Sequence, residues 1–282
     1  MAKITLSNEC LTVVLSTFGA EIISVKKGGK ERIWQGNAVW DRCAPVLFPI
    51  CGGLRDGAFV LDGKSYPIPK HGFAKDMEFE LENADKTHAV LLLKANSETL
   101  KIYPFLFELR VRFVLIDDKI EIKYEVKNAG LKQMYFSVGG HESYACKGGI
   151  EHFSVIFEKD EPLNASVVAG VLLSGKTVQI PQKGGVIELK NDYFKDDALV
   201  FCNLKSRKVT LKNNLSGEET VVWFDGFDYL LLWTVPNEEF LCIEPWCGIS
   251  DFADCNTDLA HKKGIVSLAP GETSTKTHTV QF

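Results

Sequence analysis

Phe107-Glu-Leu-Arg-Val-Arg-Phe-Val-Leu115, then Asp117-Asp118, then Ile120-Glu-Ile-Lys-Tyr-Glu-Val-Lys127, alternates apolar with mostly charged residues on both sides of a turn. A period of two sends one set of side chains to a core and the other to water, which predicts an antiparallel pair of half-buried strands. Working outward, further alternating or apolar runs lie at Phe79–Leu81, Val90–Leu93, Met134–Val138, Phe153–Phe157, Leu199–Leu204, Val209–Leu211, Val221–Phe224, Tyr229–Val235 and Val280–Phe282. Gly28-Gly29 and Asp62-Gly63 each sit between strand-like pieces as two-residue hairpin signals. Gly139-Gly140, Gly148-Gly149, Ser174-Gly175 and Gly184-Gly185 mark turn-rich separators. The best helix candidate is short, Thr257 to Lys263, stopped by Gly264. These signals predict an all-β protein, a large antiparallel β-sandwich, and with no linker or fixed-period repeat they predict one domain over residues 1–282.

The composition supports a sizeable core, with 45% hydrophobic residues among 282, and a net charge of −5 gives no electrostatic reason to expect nucleic acid or an anionic membrane as partner. A small or neutral ligand fits better. The first ten residues carry no long apolar segment and no later run could span a bilayer, so a cytoplasmic protein is expected. Eight cysteines are scattered without a CxxC pair, which predicts free thiols and offers no metal-ligand spacing. Gly57 to Ser65 imitates a phosphate-binding loop but places five residues between its glycines where that motif has four.

The stretch richest in chemistry is Leu241-Cys-Ile-Glu244-Pro-Trp246-Cys-Gly. On a strand, Cys242, Glu244 and Trp246 share a face, and a carboxylate held between a thiol and an indole is partly desolvated, which raises its pKa and makes it a better proton acceptor. Glu244 is therefore a candidate general base, against the alternative of a half-buried edge-strand glutamate with an unseen partner. His141 follows Gly139-Gly140 at a strand end, and His71 lies in the loop after the Asp62-Gly63 hairpin; each could act on a ligand or be satisfied by a backbone carbonyl. Arg55, within Cys51-Gly-Gly-Leu-Arg55-Asp-Gly57, could grip a hydroxyl or carboxylate through its fork of donors, or be a solvated turn residue. Trp34, Phe73, Tyr144 and Trp246 could stack on a sugar face or belong to the core. Asp196 and Asp197 precede an apolar strand.

Leu47-Phe-Pro-Ile50, Tyr66 to Asp76 with its His-Gly-Phe, Tyr103-Pro-Phe-Leu-Phe107, Phe136-Ser-Val-Gly-Gly-His141 and Ile243-Glu-Pro-Trp246, in order over nearly the whole chain, together resemble the aldose 1-epimerase (galactose mutarotase-like) family, most closely its LacX-like branch. The resemblance implies the family's antiparallel supersandwich with a sugar site on its concave face. It also implies interconversion of aldohexose anomers without cofactor or metal. The family's glutamate base and histidine acid fall on Glu244 and His141, its substrate-holding histidine on His71, and its binding aspartate on Asp197, with Asp196 adjacent. Gly53 stands where LacX-like sequences usually carry an arginine, leaving Arg55 as the nearest substitute. Lys75 and Glu142 replace a frequent arginine and proline. Two alternatives stand beside this expectation: a carbohydrate-binding β-sandwich without turnover, and the same epimerisation of hexose 6-phosphates. The cations recognisable in the pocket segments do not form an anion-seeking cluster, so neutral aldoses are expected to be preferred.

Overall fold

The computed structural model describes all 282 residues. Its centre is the pair that the alternation predicts: Phe107–Ile116 and Lys119–Asn128 run antiparallel, joined at Asp117, whose φ is +51°. Along both strands buried and partly exposed residues alternate from end to end. They lie inside a nine-stranded sheet with the order Val186–Glu188, Phe153–Phe157, Lys208–Asn213, Glu219–Trp223, Thr273–Gln281, Lys119–Asn128, Phe107–Ile116, His88–Lys94, Glu80–Ala84. A second large sheet is built on Phe240–Cys247 and Tyr229–Trp233, continues through Leu199–Phe201 and Asn164–Ala169 to Leu172–Gln179, and is closed at its other side by Val138–Gly139 and Glu142–Ala145. A four-stranded sheet at the N-terminus, Lys3–Ser7 to Lys30–Glu31, and two small ribbons complete the fold.

One contiguous apolar core draws on both large sheets and reaches from Leu6 to Phe282. Ile122, Val111 and Val280 enter it from the nine-stranded sheet; Leu230, Leu232, Leu241 and Ile243 enter it from the other. Period two then decides what lies on the far face of that second sheet. Leu231 and Trp246, the alternate residues of the same strands, join Val200, Leu47 and Ile249 in a separate cluster. This outer face carries the cavity described below.

Both hairpin signals form as read: Asp62-Gly63 and Gly28-Gly29 take the positive φ that tight two-residue turns require, +51° and +76°, +58° and +78°. Two readings need correction. The helix candidate is only a single 3₁₀ turn, Leu259–His261, capped by the Asp258 carboxylate on the Ala260 N–H at 2.9 Å. Ser174-Gly175 is not a separator, because the strand Leu172–Gln179 runs through it. That strand lies at a sheet edge and is mostly exposed, so no buried face imposes an apolar pattern on it.

Ile122 is buried opposite Phe113 and His278, whereas its neighbour Lys123 faces outward. Ile122→Ala should cost about 2–5 kcal/mol through lost burial and a residual cavity, whereas Lys123→Ala should stay within about 0.5 kcal/mol. Urea unfolding midpoints for the two variants check this. Equal costs would refute the face assignment of the central strand.

Candidate active site

Glu244 and His141 meet because of strand register. Val138 pairs with Cys247 and Gly139 with Trp246, and after a two-residue gap Glu142 pairs with Ile243. The register is the same on both sides of the gap, so Gly140 stands opposite Pro245 and His141 opposite Glu244. Residues directly opposite on an antiparallel pair share a face. His141 Nε2 accordingly lies 3.4 Å from Glu244 Oε2, with Glu244 only 2% exposed and His141 8%.

The gap itself has a local cause. Gly140 donates its N–H to the Pro245 carbonyl at 3.2 Å, but proline has no N–H to return. The Trp246 indole supplies the missing donor, reaching the Gly140 carbonyl at 3.2 Å. A side chain at Gly139 would strike Trp246 Cδ1 at 2.7 Å, and one at Gly140 would strike the Glu142 carboxylate at 2.5 Å. The two glycines thus let the backbone of the histidine segment pass between indole and carboxylate.

Aromatic rings enclose His141. Trp40 stacks on it at 5.4 Å between centroids, Trp233 meets it edge-on at 5.7 Å, and His71 at 5.6 Å. Trp40 is in turn held by Phe240, by Trp233 and by the Trp34 indole N–H on its carbonyl at 3.0 Å. His71 sits at φ +69°, with its N–H on the Gly52 carbonyl and its Nδ1 accepting the Gly52 N–H at 3.1 Å. An accepting Nδ1 leaves Nε2 as the protonated nitrogen of a neutral ring. His141, Trp40, Trp233 and His71 line a cavity of about 270 Å³, at the small end of ligand pockets, which run to roughly 300–1,000 Å³.

Burial dominates the electrostatics. It pushes the Glu244 carboxyl well above its ordinary range, opposed chiefly by the Lys70 ammonium and reinforced by Asp197 and Glu142. It pushes His141 down to about 3, again with Lys70 in the same direction, and it lowers His71 well below its usual value with His141, Lys70 and Lys75 adding to the effect. As a coupled pair, His141 and Glu244 are best described by how many protons they share. Two protons give a buried cation, none a buried anion, and one gives zero net charge in either arrangement. A desolvated site therefore favours the one-proton state, which can both accept and deliver a proton.

The cavity brings together Glu244, His141, His71, Trp246 and Asp197. Asp197 lies 3.8 Å from Lys70 Nζ, while its neighbour Asp196 is exposed and outside the cavity. Four candidates fall elsewhere. Arg55 does not line the cavity: its backbone N–H donates to Asp251 at 2.9 Å and its guanidinium to the Cys255 carbonyl at 2.9 Å, which makes it a brace of its own loop. Phe73 packs in the core against Phe48, Tyr103 and Phe107. Tyr144, three residues beyond His141, points to the opposite face of its strand, into the core beside Phe282. Trp34 supports Trp40 instead of lining the cavity. Sequence reading missed Trp40, Trp233, Arg42 and Ser250. Of these only Trp233 had a local signal, since it alternates with Leu231, which shares its face.

Residues 2–281 match the sequence profile of aldose 1-epimerase. The chain is 32% identical to the protein LacX of Lactococcus lactis subsp. lactis, with 98% of each covered. Among solved structures it is similar to a galactose mutarotase related enzyme from Lactobacillus acidophilus, at 34% identity and TM-score 0.94 over 99% of this chain and 97% of that one. A galactose mutarotase-like protein from Lactobacillus casei superposes with TM-score 0.94 at 27% identity, over 99% of each chain. A match of this extent, to a family profile over residues 2–281 and to a relative at 32% identity, shows that the chain belongs to the aldose 1-epimerase family.

Proposed function

We propose that this chain interconverts the α and β anomers of an aldohexose, with Glu244 and His141 as the general acid–base pair. The observation that carries the reading is their contact at 3.4 Å inside a buried cavity of monosaccharide scale. Ring opening requires removal of the C1 hydroxyl proton and delivery of a proton to the ring oxygen. Glu244 takes the first and His141 gives the second. Rotation about C1–C2 presents the other carbonyl face, and closure returns both protons with the roles exchanged. The reaction moves only protons, so its chemistry calls for neither a redox cofactor nor a metal. A sugar-binding protein without turnover would have no use for an acid and a base in contact. His71, with Nε2–H free to face the cavity, is suited to hold a substrate hydroxyl, Asp197 to accept from another, and Trp246 to cover a sugar face.

Polarimetry of freshly dissolved α-glucose and α-galactose tests the activity directly: the approach to equilibrium should accelerate with protein. Glu244→Gln keeps the shape and loses the proton acceptor, so kcat should fall by about 10²–10⁴-fold; retention of more than about a tenth would remove Glu244 as the base. His141→Asn should depress kcat more than it raises KM, and His71→Asn should raise KM at least as much as it lowers kcat. Small, equal effects on kcat/KM would reject that division of labour.

The cations at the rim support one substrate class over the other. Arg42, Lys70 and Lys75 line the cavity, but each already has a carboxylate. Arg42 holds Asp76 at 2.6 Å and Glu21 at 3.8 Å, Lys75 also holds Asp76, and Lys70 faces Asp197. A phosphate dianion would have to displace these partners, which favours neutral aldoses. In competition between glucose and glucose 6-phosphate, kcat/KM should favour the neutral sugar; a tenfold preference for the phosphate would overturn this.

A further inference from the structure

On the face shared by Glu244 and Trp246, Cys242 brings a third donor to the acid–base pair. The Cys242 sulfur, a His141 ring nitrogen and a Glu244 carboxylate oxygen all lie within 4.8 Å of one another, and all three residues are buried. Glu244 Oε2 has no hydrogen-bond partner; its polar neighbour His141 Nε2 stands at 3.4 Å. A buried carboxylate oxygen so placed is an available ligand atom. Spacing along the chain does not reveal the grouping, because His141 comes from the neighbouring strand.

We propose that His141, Cys242 and Glu244 form an inhibitory site for a thiophilic divalent cation of the zinc and cadmium type. One imidazole nitrogen, one sulfur and one carboxylate oxygen, with a fourth position open, is a donor set suited to zinc and poor for magnesium or calcium, which prefer oxygen. Tetrahedral zinc with bonds near 2.0–2.3 Å sets its ligand atoms roughly 3.3–3.8 Å apart. The His141 to Glu244 distance already lies in that range, so an approach of the sulfur by about 1 Å completes three ligands. Glu142 and Asp197 add negative charge around Glu244. The ion enters as M²⁺; the thiol proton and the proton shared by His141 and Glu244 leave to water, and the site carries a net charge of zero before and after. Its open position faces the cavity where, on the reading proposed above, the sugar's C1 and ring oxygen sit. Metal and sugar therefore exclude each other, and the metal inhibits a reaction that does not need it.

Titration of the full chain with Cd²⁺ reads the thiolate-to-metal absorption band, and Zn²⁺ competes for it. We expect one equivalent of Cd²⁺ to give a band that Cys242→Ser lacks, with His141→Asn weakening binding at least about tenfold. Zn²⁺ should raise the apparent KM for sugar without lowering kcat, EDTA should reverse this, and Mg²⁺ should do nothing. The absorption titration needs no turnover, so it reports on this site even if no aldose is epimerised. The same band and affinity in Cys242→Ser would place the metal elsewhere and overturn the proposal, as would zinc inhibition unrelieved by excess sugar. Should Cys242→Ser fail to fold, unchanged Cd²⁺ affinity in His141→Asn would overturn it equally.

Discussion

The hydrogen bond that the site depends on is the one Pro245 cannot make. In an unbroken ladder Gly140 and the residue opposite it would exchange two hydrogen bonds; here one is formed and the other is taken over by the Trp246 indole. A buried carbonyl left without a donor would cost ~1–3 kcal/mol, so the indole is fixed where the backbone needs it. That single contact aligns three things: the register that sets His141 opposite Glu244, the orientation of Trp246 in the cavity wall, and the edge on which His71 rests at 5.4 Å.

Burial then determines the chemistry. Exposed to water, a glutamate and a histidine would titrate independently, and they would hold one proton between them only between about pH 4.3 and 6.5. In the desolvated cavity the charged states of the pair are disfavoured on both sides, so the neutral one-proton state extends over a wider range. Lys70 modulates that balance, since its ammonium is the strongest influence opposing the rise that burial imposes on the Glu244 carboxyl and it also disfavours a protonated His141. Placing both groups on one sheet, and not on mobile loops, holds their separation to the accuracy of the ladder.

Residues that obey a local period were legible in the sequence. The Phe107 to Lys127 hairpin, the Asp62-Gly63 turn and the face shared by Cys242, Glu244 and Trp246 each follow from spacing alone. Edge strands such as Leu172–Gln179 were not, because an exposed strand needs no apolar alternation. Glu244, His141 and His71 stood out by their local context and resemblance to the family singled out Asp197, but the composition of the cavity wall depended on long-range packing. Trp40 and Arg42 reach the cavity from a loop with no regular structure, so no period marks them. Arg55 misled for the complementary reason: a glycine-rich loop looks like a ligand cradle, yet Arg55 ties that loop to the one carrying Asp251 and Cys255, through its backbone N–H and its guanidinium.

The two faces of Phe240–Cys247 are held under different constraints. Leu241 and Ile243 anchor the strand in the main core, and their partners Leu232 and Tyr144 lie in the same core from the strands on either side. Any substitution there must preserve volume and register, which protects the positions of Glu244 and His141. The cavity rim has no such constraint. Arg42, Lys70, Lys75 and Asp197 come from loops and a short 3₁₀ turn, and Lys70 pairs with Asp197 while Arg42 and Lys75 share Asp76, in ion pairs that are partly exposed and individually weak. Exchanging one of these carboxylates for a neutral side chain would release a cation toward the cavity at little cost to folding. The net charge of the rim can therefore change at residues whose replacement leaves Glu244 and His141 where the sheet puts them.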